Sequence, residues 1–334
     1  MANKKDSTAR PMQSAGRPAI PAEFAMDEVL WAAWMYYEQG QKQEDIAGTL
    51  GISRASVFNL LQKARDERIV NISIDPTRMS QASLALKIKE LYGLEACYVL
   101  PVTAPSEPIH NQIGRLGARV LEQLLRPNDT IGVAWGRTVL AMSQHLQNVN
   151  LPNVTIAQVT GSSAATFAFS PPLCTSNIAE RLNARCVNLH APGIVSSPDV
   201  KRIFMAEPSI RTHFALLSQC TKLLFGVTPI TGPTLLVEGE FMTEIELQAY
   251  RDLGAVGFAC GYFYDADGAI VRTEFDGRHI TMPLEELRDV PQRICVGGGP
   301  GKADSVRAML KAGLATILVT DDQTARAVMA RQAG

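Results

Sequence analysis

From Ala96 onward the chain alternates short apolar runs with stretches of helical periodicity, and this alternation constrains its fold more than any other feature. The runs are CYVL (97–100), TIGVA (130–134), VTIAQV (154–159), CVNLH (186–190), KLLFGV (222–227), ICVG (294–297) and TILVT (316–320). Helical patterns lie between or after them, at 111–125, 138–147, 173–184, 207–218, 243–253, 302–312 and 322–331. Strands separated by helices pair in parallel, because the chain must cross back over the sheet between them. The runs carry little internal polarity, as strands covered on both faces do. A mostly parallel α/β sheet is therefore predicted. The segment 254–275 differs and reads as a hairpin turned at Asp267-Gly268.

The first 75 residues have another texture. EVLWAAWMYYEQ, QEDIAGTL and RASVFNLLQKARDE, between 28 and 67, show only helical spacing. Within 43–62, Ala47 is small where two helices cross and Gly51 comes four residues later, where a tight turn needs positive φ. Ile46, Leu50, Ile52, Val57 and Leu60 supply a small core, and Ser53 can cap the next helix. Together they specify a helix-turn-helix, winged or not, in an all-α domain. With Val57, Leu60, Leu61 and Ala64 facing inward, the second helix turns Ser53, Arg54, Ala55, Ser56, Asn59 and Lys63 outward. Arg pairs with guanine, Asn with adenine. Lys63, Arg65 and Arg68 suit phosphates. Double-stranded DNA is the expected partner, and an ordinary helical hairpin the alternative. Phe58 is expected to be half-packed.

Residues 69–74, IVNISI, alternate and read as a short strand, and 78–91 as a connector helix. The expected domains are a mobile tail (1–26), a helix-turn-helix domain (27–75), a connector (76–95) and an α/β domain (96–334). The Pro- and Gly-punctuated opening has two lysines with no apolar stretch behind them, so it does not read as a signal peptide. No apolar run approaches the ~20 residues of a membrane span, and the cytoplasm is the expected location. A formal net charge of −1 excludes a generally basic coat. Only four basic and two acidic side chains lie between 53 and 68, so at least a dimer is expected on a repeated site.

In parallel sheets ligands bind beyond the carboxyl ends of strands. Three loops there are candidates. Gly136, Arg137 and Thr138 make an anion cradle at a helix start. Gly161, Ser162 and Ser163 are small and hydroxylic. Gly298, Gly299 and Lys302 suit one phosphate or a polyol, though the loop fits neither the P-loop nor the dinucleotide pattern. Asp321 and Asp322 read as helix caps. The six cysteines form no CxxC pair and read as buried thiols. The five histidines are dispersed, with no HExxH, so no metal, cofactor or catalytic set is expected.

QEDIAGTLGISRASVFNLL, IGVAWGRTVLA, KLLFGV, GAVG…DADG, VGGGPGKADSVRAML and ILVTDDQTA, in that order, make the chain resemble SorC-type sugar-responsive transcriptional regulators over residues 28–331. The resemblance implies an effector domain like the sugar-phosphate isomerase and glucosamine-6-phosphate deaminase fold. It implies tetramers controlled by a sugar, polyol or sugar phosphate, with the three loops facing that effector. Relatives often carry an acidic and a basic residue where this chain has Phe258 and Tyr262, which points to an unphosphorylated polyol. The alternatives are a sugar-phosphate isomerase-like enzyme with a helical appendage, and a binding domain with an oligomerisation module that has no DNA role.

Overall fold

The computed structural model describes residues 20–72, 76–101, 106–163, 168–232 and 234–330. The chain divides into two compact units at Pro76 and Thr77.

The first unit holds α1 (Glu28–Tyr37), α2 (Gln43–Leu50) and α3 (Arg54–Asp66). Asp27 starts α1 by accepting from the Val29 and Leu30 amides at 2.9 and 3.0 Å. The α2 helix stops because Gly51 takes φ 65, a left-handed conformation that costs glycine little. The Ser53 hydroxyl then accepts from the Ser56 amide at 3.1 Å and opens α3. Trp31, Met35, Ile46, Leu50, Val57 and Leu61 bury one face of each helix in a common core. Each large apolar side chain so buried contributes about 1.5–3 kcal/mol.

The expected strand at 69–74 is not formed over 69–72, and residues 73–74 lie outside the described ones. The Val70 amide instead donates to the Ala64 carbonyl at 3.0 Å and closes the end of α3. Ile69 and Val70 pack on Val29, Ala33 and Ala64. These β-branched residues find a helix surface to cover and no neighbouring strand to pair with. No wing strand forms among the described residues of this unit.

The second unit begins with α4 (Pro76–Tyr92) and continues through β1 (Ala96–Leu100), α5 (Ile109–Leu124), β2 (Thr130–Val133), α6 (Arg137–His145), β3 (Thr155–Gln158), α7 (Pro171–Leu182) and β4 (Arg185–Val187). It goes on through α8 (Pro198–Ala206), α9 (Pro208–Leu217), β5 (Lys222–Phe225), β6 (Thr228–Pro229), α10 (Leu235–Glu238) and α11 (Glu244–Asp252). The last elements are β7 (Ala255–Ala259), β8 (Tyr262–Asp265), β9 (Ile270–Val271), α12 (Leu284–Asp289), β10 (Gln292–Val296), α13 (Ala303–Lys311), β11 (Ile317–Asp321) and α14 (Asp322–Ala330).

The seven strands expected from the sequence form one sheet in the order β1-β11-β10-β5-β2-β3-β4, and every pair in it is parallel. Alternate side chains fill opposite cores. Leu223, Phe225, Cys295 and Leu318 enter one cluster, while Leu224, Ile294, Val296, Ile317 and Val319 enter the other.

The 254–275 segment makes two turns rather than one. β7 and β8 pair around Cys260-Gly261, and β8 and β9 around Asp267-Gly268. With β6 they complete a four-stranded antiparallel sheet. All six cysteines are free thiols, but Cys186 is exposed and Cys97 only half-buried, so the expectation of six buried thiols is corrected. Both stand on edge strands of the seven-stranded sheet. Among the described residues no helix is long and apolar enough to cross a membrane.

Candidate functional site

The carboxyl ends of β2, β5 and β10, three adjacent central strands, open on a cavity of about 390 Å³. The residues just past each strand build it. Trp135-Gly136 connects β2 to α6, Gly226-Val227 extends β5, and Gly298-Gly299 connects β10 to α13. The starts of α5, α6 and α13 bring His110, Arg137, Thr138 and Lys302 to the same wall. Helix starts leave backbone N–H groups unpaired and carry partial positive charge, so three of them at one wall favour an anion.

Side-chain charge strengthens that field. Arg137 Nη2 donates to Glu238 Oε1 and Oε2 at 3.0 and 2.9 Å, a partly exposed pair across the mouth. Among the described residues no hydrogen bond or ion pair meets the Lys302 ammonium. Burial does most to push it below the ordinary lysine range; Arg137 adds to this, while Cys295 and Asp321 act the other way. Burial, then Arg137 and Lys302, likewise hold the His110 imidazole below its usual range. Burial and the neighbouring cations thus act together on Lys302 and His110, and Glu238 partners Arg137 but not Lys302.

The β10–α13 loop is held from below. Asp321 Oδ2 accepts from the Gly299 amide and the Thr324 hydroxyl, both at 2.7 Å, and Oδ1 accepts from the Thr324 amide at 2.9 Å. A Cβ on Gly298 would lie 2.2 Å from Asp321 Oδ2 and 2.8 Å from Ile113 Cδ1, so only glycine lets the loop approach this closely. Asp321 is thus the helix cap its position predicts, and it also fixes the loop that carries Lys302.

Of the three candidate loops, Gly136–Thr138 and Gly298–Lys302 meet at this cavity, and Gly161–Ser163 does not line it. The Gly161 amide donates to the Ile280 carbonyl at 2.9 Å, and Gly161 lines a smaller cavity. Ser162 Oγ accepts from Gln158 Nε2 at 3.0 Å. Phe258 lines the smaller cavity too, and the Tyr262 hydroxyl donates to the Met282 carbonyl at 2.8 Å. Neither aromatic lines the cavity of Arg137 and Lys302.

Sequence reasoning passed over His110, Thr234 and Glu238. His110 opens the helix after β1, and Glu238 ends the helix after β6. The rule that ligands bind beyond strand ends, applied after β1 and β5 as well, would have reached the first.

On α3, Ser53, Arg54, Ala55, Asn59 and Lys63 are exposed and Ser56 is half-buried, while Val57, Leu61 and Ala64 are buried. Phe58 is 52% exposed. Arg54 lies 3.5 Å from Glu44 and Lys63 lies 3.6 Å from Glu67, both as exposed pairs. Such pairs contribute about 0–1 kcal/mol, so both cations remain available to a stronger anion. Among the described residues no group of three or more His, Cys, Asp or Glu could hold a metal.

Comparison with known proteins agrees with this architecture. The model of the family described as "Putative sugar-binding domain" (Sugar-bind) matches residues 78–330. A relative named uncharacterized transcriptional regulator YjhU, from Escherichia coli, is 34% identical over 92% of this chain and 95% of its own. The deoxyribonucleoside regulator of Bacillus subtilis is 30% identical over 89% of this chain and 96% of its own. The crystal structure of the full-length sorbitol operon regulator SorC from Klebsiella pneumoniae superposes with a TM-score of 0.70, covering 89% of this chain and 96% of that one, at 24% identity.

Proposed function

Since the chain belongs to the sugar-binding transcriptional regulators of the SorC type, we propose that it couples an anionic sugar or polyol derivative in the cavity of Arg137 and Lys302 to DNA bound by α3. The protein is a transcriptional regulator rather than an enzyme. In this reading α2 and α3 form a helix-turn-helix, α3 enters the major groove, and Ser53, Arg54, Ala55, Ser56, Asn59 and Lys63 meet the duplex. The second unit is the effector domain, on the sugar-isomerase pattern. It senses a carbohydrate or polyol destined for catabolism, and the protein works in the cytoplasm as a dimer or tetramer. Homologues named for erythritol catabolism and for deoxyribonucleosides support a small polyol or sugar as the class of effector.

The observation that carries the reading is the convergence of Arg137, Lys302 and His110 on one cavity at three helix starts. It favours a phosphorylated effector over the unphosphorylated polyol that Phe258 and Tyr262 suggest. Those two residues lie away from the cations, so their replacement leaves the anion cradle intact.

The test is a footprint of the purified protein on the DNA upstream of its own operon, at two salt concentrations, with and without a pool of sugars, polyols and their phosphates. Protection of a repeated site that changes with a phosphorylated member of the pool is expected. Absence of protection at low salt would overturn the DNA reading, and protection indifferent to every member would overturn the effector reading.

A further inference from the structure

Trp135 lines a second, smaller cavity besides the one that holds the cations. Its indole lies 4.4 Å from the Phe241 ring, centre to centre, and nearly parallel to it. Phe241, Phe258, Leu236, Met242 and Ile194 make the rest of the wall chiefly apolar. The polar exceptions come from two facing segments. Thr160 pairs with Thr281 in an isolated bridge, and His279 and Thr281 stand two residues apart on the same extended segment. The period of a strand puts residues at that spacing on one face.

The three differ in what their polar atoms do. The Thr281 hydroxyl is spent, donating to the Cys260 carbonyl at 2.8 Å. His279 Nδ1 lies 3.3 Å from the Gly261 carbonyl, which as an acceptor requires the proton on Nδ1 and leaves Nε2 a bare lone pair. His279 Nε2 and Thr160 Oγ1 are both buried, and neither has a hydrogen-bond partner among the described residues. Their residues are 6% and 5% exposed. Leaving two such atoms unpaired costs about 1–3 kcal/mol each, so something is expected to meet them. The cavity measures about 20 Å³, and a single water-sized group needs about 10–15 Å³.

We propose that this cavity is the specificity subsite of the effector site, and that it takes one terminal hydroxyl of the ligand, with hydroxyl-free carbons behind it. The proposal rests on the reading of the neighbouring cavity as the anion site. The hydroxyl fills this small cavity, donating to His279 Nε2 and accepting from the Thr160 hydroxyl, while the adjoining carbons lie toward Trp135, which lines both cavities. A fully hydroxylated chain would set further hydroxyls against the apolar wall, where nothing pairs with them. The effector class is therefore a phosphate ester with a terminal hydroxyl on a deoxygenated carbon chain.

The experiment is isothermal titration of the full-length protein with 3-hydroxypropyl phosphate, propyl phosphate and glycerol 3-phosphate, using wild type, Thr160→Val and Lys302→Ala. Thr160→Val keeps the shape and removes a buried hydroxyl that has no partner, so the melting temperature should hold or rise, not fall. In wild type, 3-hydroxypropyl phosphate should bind about tenfold tighter than propyl phosphate, the worth of one hydrogen bond to an otherwise unpaired buried group. It should also bind tighter than glycerol 3-phosphate. Thr160→Val should erase the first difference and leave propyl phosphate unaffected, whereas Lys302→Ala should weaken all three probes alike. A hydroxyl preference that survives Thr160→Val overturns the subsite, and the orphan atoms then hold a water only. Erasure by Thr160→Val with no effect of Lys302→Ala keeps the subsite and overturns the anion site. No binding of any probe to wild type overturns both.

Discussion

Base recognition, if α3 performs it, is decided by two side chains whose free-state partners are weak. Arg54 leaves only an exposed contact with Glu44 when it moves to a base edge, and Asn59 leaves water. Arg54→Ala and Asn59→Ala should each cost about 1–3 kcal/mol in binding the specific site and little on unrelated DNA. Lys63→Ala should weaken both alike, since a phosphate contact carries no sequence information. Gel-shift titrations against specific and scrambled duplexes measure this, and equal losses for all three would reject α3 as the reader. At the other site the informative residue is His110. Burial, Arg137 and Lys302 hold its pKa below the ordinary value. A bound phosphate reverses the electrostatic part of that shift and favours the imidazolium. Binding should therefore take up protons, and affinity should rise as the pH falls through the ordinary histidine range. Titration calorimetry in buffers of different ionisation enthalpy reads the proton count directly. No proton uptake, with affinity flat across that range, would mean that His110 does not meet the anion.

At the scale of elements, the two central strands β2 and β5 are clamped at their amino ends by a buried pair. Lys222 Nζ donates to Asp129 Oδ1 and Oδ2 at 2.8 and 2.7 Å, and the Thr221 hydroxyl adds a third bond at 2.7 Å. Burial alone would raise the Asp129 carboxyl, but the bonds from Lys222, Thr221 and the Arg126 amide outweigh it and hold it below its ordinary range. A carboxyl lowered on folding adds stability that is present above the unfolded value, and that stability is lost as pH falls through the folded one. Asp129→Ala leaves the Lys222 charge buried and unpaired and should cost about 3–5 kcal/mol. Denaturant melts at neutral pH and at pH 3 should show the variant's deficit shrinking in acid. The seven sheet strands were legible because strands covered on both faces must be nearly all apolar. Other elements were not. The α8 helix fully buries none of its residues; Val200, Phe204 and Met205 only lean on the core, half-buried, so its apolar stripe is short. The turn between β7 and β8 places Cys260 at φ 51, which no cysteine advertises. IVNISI had the composition of a strand, yet pairing needs a neighbour, and that is a property of the fold. The cavity was half legible for the same reason. Strand ends announce Arg137 and Lys302, but Thr234 and Glu238 reach it from the β6–α10 excursion, whose return to the sheet no local pattern reveals.

On the proposed function, the whole molecule would have to join a weakly charged DNA surface to a strongly charged ligand cavity. A net charge of −1 supplies no long-range attraction to DNA, so in the proposed reading affinity would depend on the few contacts of α3, multiplied over the copies of the proposed oligomer. That dependence is what makes control by a small ligand feasible. If the effector changes how the copies present their α3 helices, it changes all those contacts together, for a coupling free energy of about 1–3 kcal/mol, or 5–150-fold in affinity. Linkage then fixes a result that needs no knowledge of the path between the sites. Whatever factor the effector applies to operator affinity, saturating operator must apply to effector affinity, in the same direction. Fluorescence anisotropy on labelled operator gives the first factor, and calorimetric titration of ligand into free and operator-saturated protein gives the second. Equal factors, both erased by Lys302→Ala, establish that the charged cavity is the controlling site. A shift in operator affinity that persists in Lys302→Ala would mean that the ligand acts elsewhere, and equal ligand affinity with and without operator would mean that cavity and helix are not coupled at all.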